Sequence, residues 1–132
     1  MGTLQRIKNR TGGYYRNVLM YQDFSKDFRA IFKGDTKSIK RYEKWLLRKL
    51  DILEEQGVLC TDGVRFEALK GNDKGIYSIR SQESESNVRV LYFFFNENRS
   101  ILLTAIKEHN SRDYDFGCAK AKNIMHQLEE GA

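Results

Sequence analysis

Two arginines stand inside the most apolar part of this chain. Arg80 ends the run Gly75-Ile76-Tyr77-Ser78-Ile79-Arg80, and Arg89 is the second residue of Val88-Arg89-Val90-Leu91-Tyr92-Phe93-Phe94-Phe95. A guanidinium among strand-forming residues must reach water, a partner or a ligand, because burying it unpaired is prohibitive. Its planar fork of donors fits the oxygens of a carboxylate or a phosphate. Further on, Lys107-Glu108-His109-Asn110-Ser111-Arg112-Asp113-Tyr114 crowds titratable groups into one short polar segment. A histidine there is the natural proton carrier near neutral pH. Cys60 and Cys118 lie far apart with no histidine at a paired ligand spacing, so a zinc site is not expected and reduced thiols are. Each of these residues also has a plain structural reading. Arg89 can pair with Glu83, Glu85 or the acidic end of the last helix; Arg80 can sit at a sheet edge; His109 can be a surface histidine; Tyr114 can anchor a helix by its ring.

The elements that must hold these groups are legible from periodicity. Between Phe66 and Lys107 the chain reads as three or four strands of one antiparallel sheet. The connection Gly71-Asn72-Asp73-Lys74-Gly75 carries glycine at both ends, where positive φ is cheapest. From Val88, alternation puts Val88, Val90, Tyr92 and Phe94 on one face and Arg89, Leu91, Phe93 and Phe95 on the other. Both faces are mostly apolar, which predicts a sheet covered on both sides. Ahead of it, Tyr14–Tyr21 is expected to be a strand, and Phe24, Phe28, Ile31 and Phe32 mark a short helix. Ile39, Tyr42, Leu46, Leu50 and Leu53 mark a long one, capped by Asp35 or Thr36 and stopped at Gly57. A closing helix with Phe116, Ala121, Ile124, Met125 and Leu128 on one side ends at Gly131.

A chain of 132 residues, 40% apolar and 12% aromatic, can build one core. Residues 1–13 are polar and basic and are expected to trail in solvent as a flexible tail, with a single domain over 14–132. The formal charge of +5 is concentrated early, since residues 1–50 hold thirteen Lys/Arg against four Asp/Glu. Lys37, Lys40, Arg41, Lys44, Arg48 and Lys49 flank the long helix, a pattern that is either a solvated face or a nucleic-acid contact. No run is long and apolar enough for a signal peptide or a membrane span, so a soluble cytoplasmic protein is expected.

The element order, together with FEALKGNDKGIYSIR, NVRVLYFFF and the polar segment after ILLTAIK, resembles the RelE/ParE superfamily of toxins, and within it the HigB-like, phage-derived host-killing branch. The likeness covers roughly residues 36–130 and is most specific over 66–107. It implies an α/β (α+β) RelE-like fold, with N-terminal helices on a curved, four- to five-stranded, mostly antiparallel sheet and a C-terminal helix. It also implies a type II toxin that cleaves mRNA on the ribosome without a cofactor or metal, paired with a helix-turn-helix antitoxin. ParE-type members instead poison gyrase, and a binding-only phage protein that blocks a host factor is the further alternative. In such cleavage the 2′-OH attacks the adjacent phosphate, and the protein positions the strand, moves two protons and stabilises charge on phosphorus. Carried over by position, the resemblance implies catalytic roles for Arg80, Arg89, Lys107 and His109, and RNA contacts from Arg112, Tyr114, Lys70 and Lys74. The chain departs from the pattern in its acidic loop Ser81–Asn87, in Glu108 and Asp113, and in having Tyr77-Ser78-Ile79 where RelE carries lysines.

Overall fold

The computed structural model describes residues 3–63, 65–81 and 87–131. The acidic segment with Glu83 and Glu85 lies outside them. In chain order the elements are β1 (Leu4–Lys8), β2 (Tyr14–Tyr21), α1 (Phe24–Ala30), α2 (Thr36–Gln56), β3 (Phe66–Ala68), β4 (Tyr77–Arg80), β5 (Val88–Phe94), β6 (Ser100–Lys107) and α3 (Ser111–Glu130). The strands form one open six-stranded sheet in the order β1-β2-β6-β5-β4-β3. β2 runs parallel to β6, and the other neighbours pair antiparallel. The architecture is thus α+β with a mixed sheet. None of the described helices is long and apolar enough to cross a membrane.

The expected alternation of β5 divides the core in two. Val88, Val90, Tyr92 and Phe94 join the cluster built with Phe24, Phe28, Tyr42, Leu46, Leu50 and Leu53 of α1 and α2. Leu91 and Phe93 join Ile101, Leu103, Cys118, Ala121, Ile124 and Leu128 under α3. The sheet is therefore covered on both faces. α2 starts where Asp35 accepts the Ser38 N–H at 3.3 Å and ends at Gly57, whose φ of 54° is one that residues with a Cβ seldom adopt. α3 starts where Asn110 accepts the Asp113 N–H at 3.0 Å. It lies against β6 at Gly117, where an added Cβ would overlap Ile106 Cγ2.

Two expectations need correction. Residues 4–8, expected to trail in solvent, form the edge strand β1 paired with β2. Thr11-Gly12-Gly13 is the turn of that hairpin: Asn9 Oδ1 accepts the Thr11 and Gly13 N–H groups, each at 3.0 Å, and Gly12 takes φ 93°. β1 shows no apolar alternation because only Ile7 is half-buried, so its pairing rests on backbone bonds. The strand count is accordingly six rather than four or five. β2 is also irregular. It bulges between Tyr14 and Leu19, which face Lys8 and Arg6, and there Glu54 of α2 accepts the N–H groups of Arg16 and Asn17.

Candidate functional site

Antiparallel alternation brings the end of β4, the start of β5 and the end of β6 to one end of the sheet, next to the start of α3. Register sets the faces: Arg80 lies opposite Arg89, and Arg89 opposite Ile106, which abuts α3. Both arginines thus belong to the α3 face. Like charges directly opposite each other on neighbouring strands repel, so the fold must compensate them. It does so at Arg89, which is 8% exposed. Its Nε donates to Glu108 Oε2 at 2.8 Å and its Nη1 reaches Glu67 Oε1 at 3.4 Å. Asn87 Nδ2 donates to the same Glu108 oxygen at 3.1 Å, and the guanidinium carbon stands 5.0 Å from the centre of the Tyr114 ring. Burial, then the charge and hydrogen bond of the Cys118 thiol, push the Tyr114 phenol up to about 12, against the opposing pull of Arg89. Tyr114 is therefore a neutral phenol at physiological pH, with one ring face taken by Arg89.

Arg80 is half-buried and has no ion pair or hydrogen bond from its side chain to a described residue; its backbone N–H donates to the Arg65 carbonyl at 2.9 Å. Arg80 is thus a cation open to a ligand at this sheet end, and Arg65 beside it is exposed as well.

The other residues singled out from sequence divide into three groups. Lys107 lies opposite Val88, so it belongs to the α1/α2 face rather than the arginine face. With Arg112 it lines an open groove of ≈ 340 Å³ that curls round β6 between Ile31 of the α1 end and Phe116 of α3. His109 is exposed: its backbone N–H donates to Asp113 Oδ2 at 3.0 Å, and its ring makes no hydrogen bond or ion pair with a described residue. Lys70 and Lys74 flank the β3–β4 connection, beyond the opposite end of β4 from Arg80, a strand about 10 Å long at ~3.3 Å per residue. Lys122 of α3 fastens that connection through the Asn72 carbonyl at 3.1 Å and Asp73 at 3.3 Å. The structure therefore gathers Arg80, Arg89 and Tyr114, places Lys107 and Arg112 round the corner, and leaves Lys70 and Lys74 apart.

Sequence reasoning missed the carboxylates. Glu108 counted only as a charge diluting a basic segment, and Glu67 did not figure at all. The rule applied to the arginines finds Glu67 too, since it sits between Phe66 and Ala68 in a strand and needs a partner. Chemically, the sheet end offers an open guanidinium, a second guanidinium oriented by two carboxylates, and carboxylate oxygens able to accept a proton. Compared with known proteins, the chain matches no family model, no curated protein and no solved structure.

Proposed function

We propose that this chain is the toxin of a type II toxin–antitoxin pair, a RelE-like ribosome-dependent endonuclease that cuts mRNA by attack of the strand's own 2′-OH. The observation that carries the reading is the cross-strand pair Arg80 and Arg89 at a sheet end, with Glu67 and Glu108 on Arg89. In this reading Arg80 binds the scissile phosphate and Arg89 joins it as charge develops on the phosphoryl oxygens. A carboxylate on Arg89 takes the 2′-OH proton. The 2′-oxygen bonds to phosphorus, the P–O5′ bond breaks, and His109 in the adjoining turn gives a proton to the leaving 5′-oxygen. The products are a 2′,3′-cyclic phosphate and a 5′-hydroxyl. The α+β order with helices on both sheet faces is compatible with that toxin class, and an antitoxin would cover the basic sheet end.

One observation favours a second reading. Arg89 is already held by two carboxylates and Lys107 is on the other face, as in a protein that binds a host factor, gyrase among them, without chemistry.

Purified protein on ribosomes carrying end-labelled mRNA decides between the two. Cleavage yielding cyclic phosphate ends in EDTA, lost when the scissile 2′-OH is methylated, is the expected result. A charge-assisted phosphate contact contributes about 1.5–3 kcal/mol, so Arg80→Gln is expected to slow cutting roughly ten- to a hundredfold. Growth arrest with intact mRNA would instead favour the binding-only reading.

A further inference from the structure

The solvent crest of α2 is cationic in a way that the sheet end does not use. At about 100° per residue, Lys37, Arg41, Lys44 and Arg48 fall within about 60° of arc and span about 16 Å along the axis, opposite the buried stripe of Ile39, Tyr42, Leu46, Leu50 and Leu53. Lys40 stands beside them. Among the described residues, none of Lys37, Lys40, Lys44 and Arg48 makes a salt bridge, and all four are exposed.

The arrangement works against the helix that carries it. A helix macrodipole favours acidic groups at the start and basic groups at the end; beyond its acidic N-cap Asp35, α2 has no acidic residue in its first turn, and its last turn carries Glu54 and Glu55 and no basic residue. Crowding goes further on the flank, where burial first, then Arg65 and Arg48, hold the Lys49 ammonium below its usual range. Lys40, Lys44 and Arg48, like charges massed on one exposed side of the helix with no ion pair among the described residues, do not serve the stability of the free protein. They fit a polyanion.

The ridge also has a shaped border. Arg10, from the turn of the β1–β2 hairpin and fixed to Asp51 at 3.2 Å, closes a groove of ≈ 320 Å³ with Lys44, Leu47 and Arg48. Cations along its rim and a leucine in its lining suit a sugar-phosphate strand, with phosphates on the rim and the less polar ribose over Leu47.

We infer that the α2 crest and its Arg10 groove form an RNA-backbone anchor separate from the reactive sheet end. The choice of RNA over duplex DNA rests on the reading under Proposed function; the presence of a polyanion site does not. Its recognition is of charge, so it carries little sequence preference.

The test is equilibrium binding of a fluorescein-labelled single-stranded RNA to the full chain across salt concentrations. Each contact to single-stranded RNA contributes about 0.7 to the log–log salt slope. Lys40→Gln/Lys44→Gln/Arg48→Gln is expected to flatten the slope by about 2 and weaken binding about a hundredfold near 0.1 M salt. The charge-preserving variant Lys40→Arg/Lys44→Arg/Arg48→Lys is expected to keep both, which separates loss of charge from loss of fold. Unchanged slope and affinity in the glutamine variant would overturn the anchor. So would wild-type protein that sediments with phosphatidylserine vesicles while leaving RNA unbound. Intact mRNA on the ribosome, with the slope still flattened by the ridge substitutions, would remove the endonuclease reading and leave the anchor standing.

Discussion

Replacing Arg89 by alanine tests how much the sheet end depends on one guanidinium. The substitution leaves Glu108 and Glu67 facing each other without their shared cation and strips the ring of Tyr114 of its contact. Removing one partner of a fully buried ion pair costs about 3–5 kcal/mol. The carboxylates here are not fully buried, with side-chain exposures of 22% at Glu108 and 31% at Glu67, so water recovers part of the loss. The lost cation–π contact adds about 0.5–1 kcal/mol. The expected net destabilisation is about 2–3 kcal/mol, read as a shift in the urea midpoint at pH 7 with unchanged slope. Adding Glu108→Gln removes one orphaned charge, so the double variant is expected to be more stable than Arg89→Ala alone, with a coupling of at least about 1 kcal/mol. Arg89→Ala within about 0.5 kcal/mol of wild type, or a double variant that simply sums the single effects, would refute the account of Arg89 as the keystone of this corner. The same arithmetic bears on toxicity assays. Relief of growth arrest by Arg89→Ala mixes lost stability with lost chemistry, whereas Arg80→Gln disturbs no ion pair among the described residues.

Three further outcomes are expected. Gly117→Ala gains helix propensity of about 1 kcal/mol but drives a Cβ into Ile106; the clash wins, with a net loss of about 1–3 kcal/mol in the urea midpoint that is expected to vanish when the same substitution is made in an Ile106→Ala background. Glu54→Ala frees the N–H groups of Arg16 and Asn17, with an expected loss of about 2 kcal/mol and faster amide exchange at those two residues. Burial pushes the Cys60 thiol up to about 11 and Tyr114 to about 12, and Cys118, Tyr15 and Tyr92 move in the same direction. These groups stay protonated in the folded chain after the unfolded chain has released its protons, so their contribution is complete below about pH 8.5 and is lost as pH rises toward 11. A urea midpoint at pH 10 equal to that at pH 7 would contradict this.

What could be read from the sequence follows from what periodicity encodes. The faces of β5, the caps Asp35 and Gly57, the stripe of α2 and the positive-φ glycines at 71 and 75 all have local causes, and each stands in the structure as expected. β1 was illegible because an edge strand with one half-buried side chain carries no alternation to detect. The parallel pairing of β2 with β6 was illegible because Val18 and Ser100 share no local signal. At the site, the shared face of Arg80 and Arg89 follows from their pairing across β4 and β5. The split between Lys107 and Arg89 depends on register, which places Lys107 opposite Val88 rather than among the arginines. The carboxylates on Arg89 come from β3 and from the residue after β6, partners that only the assembled sheet identifies.

The β2–β6 ladder also bears on how the chain reaches its native state. The pairings among β3, β4, β5 and β6 join neighbours in sequence and need only short closures. The bond of Val18 to Ser100 closes a loop of about eighty residues, a cost met before any contact rewards it. During synthesis the β1–β2 hairpin is made about eighty residues before β6, the strand that β2 pairs with. Until β6 emerges, the edge of β2 that β6 will pair has no native strand to meet. That interval is when a nascent chain of this topology is most exposed to misassociation, and when a binding partner has the most to gain by arriving early.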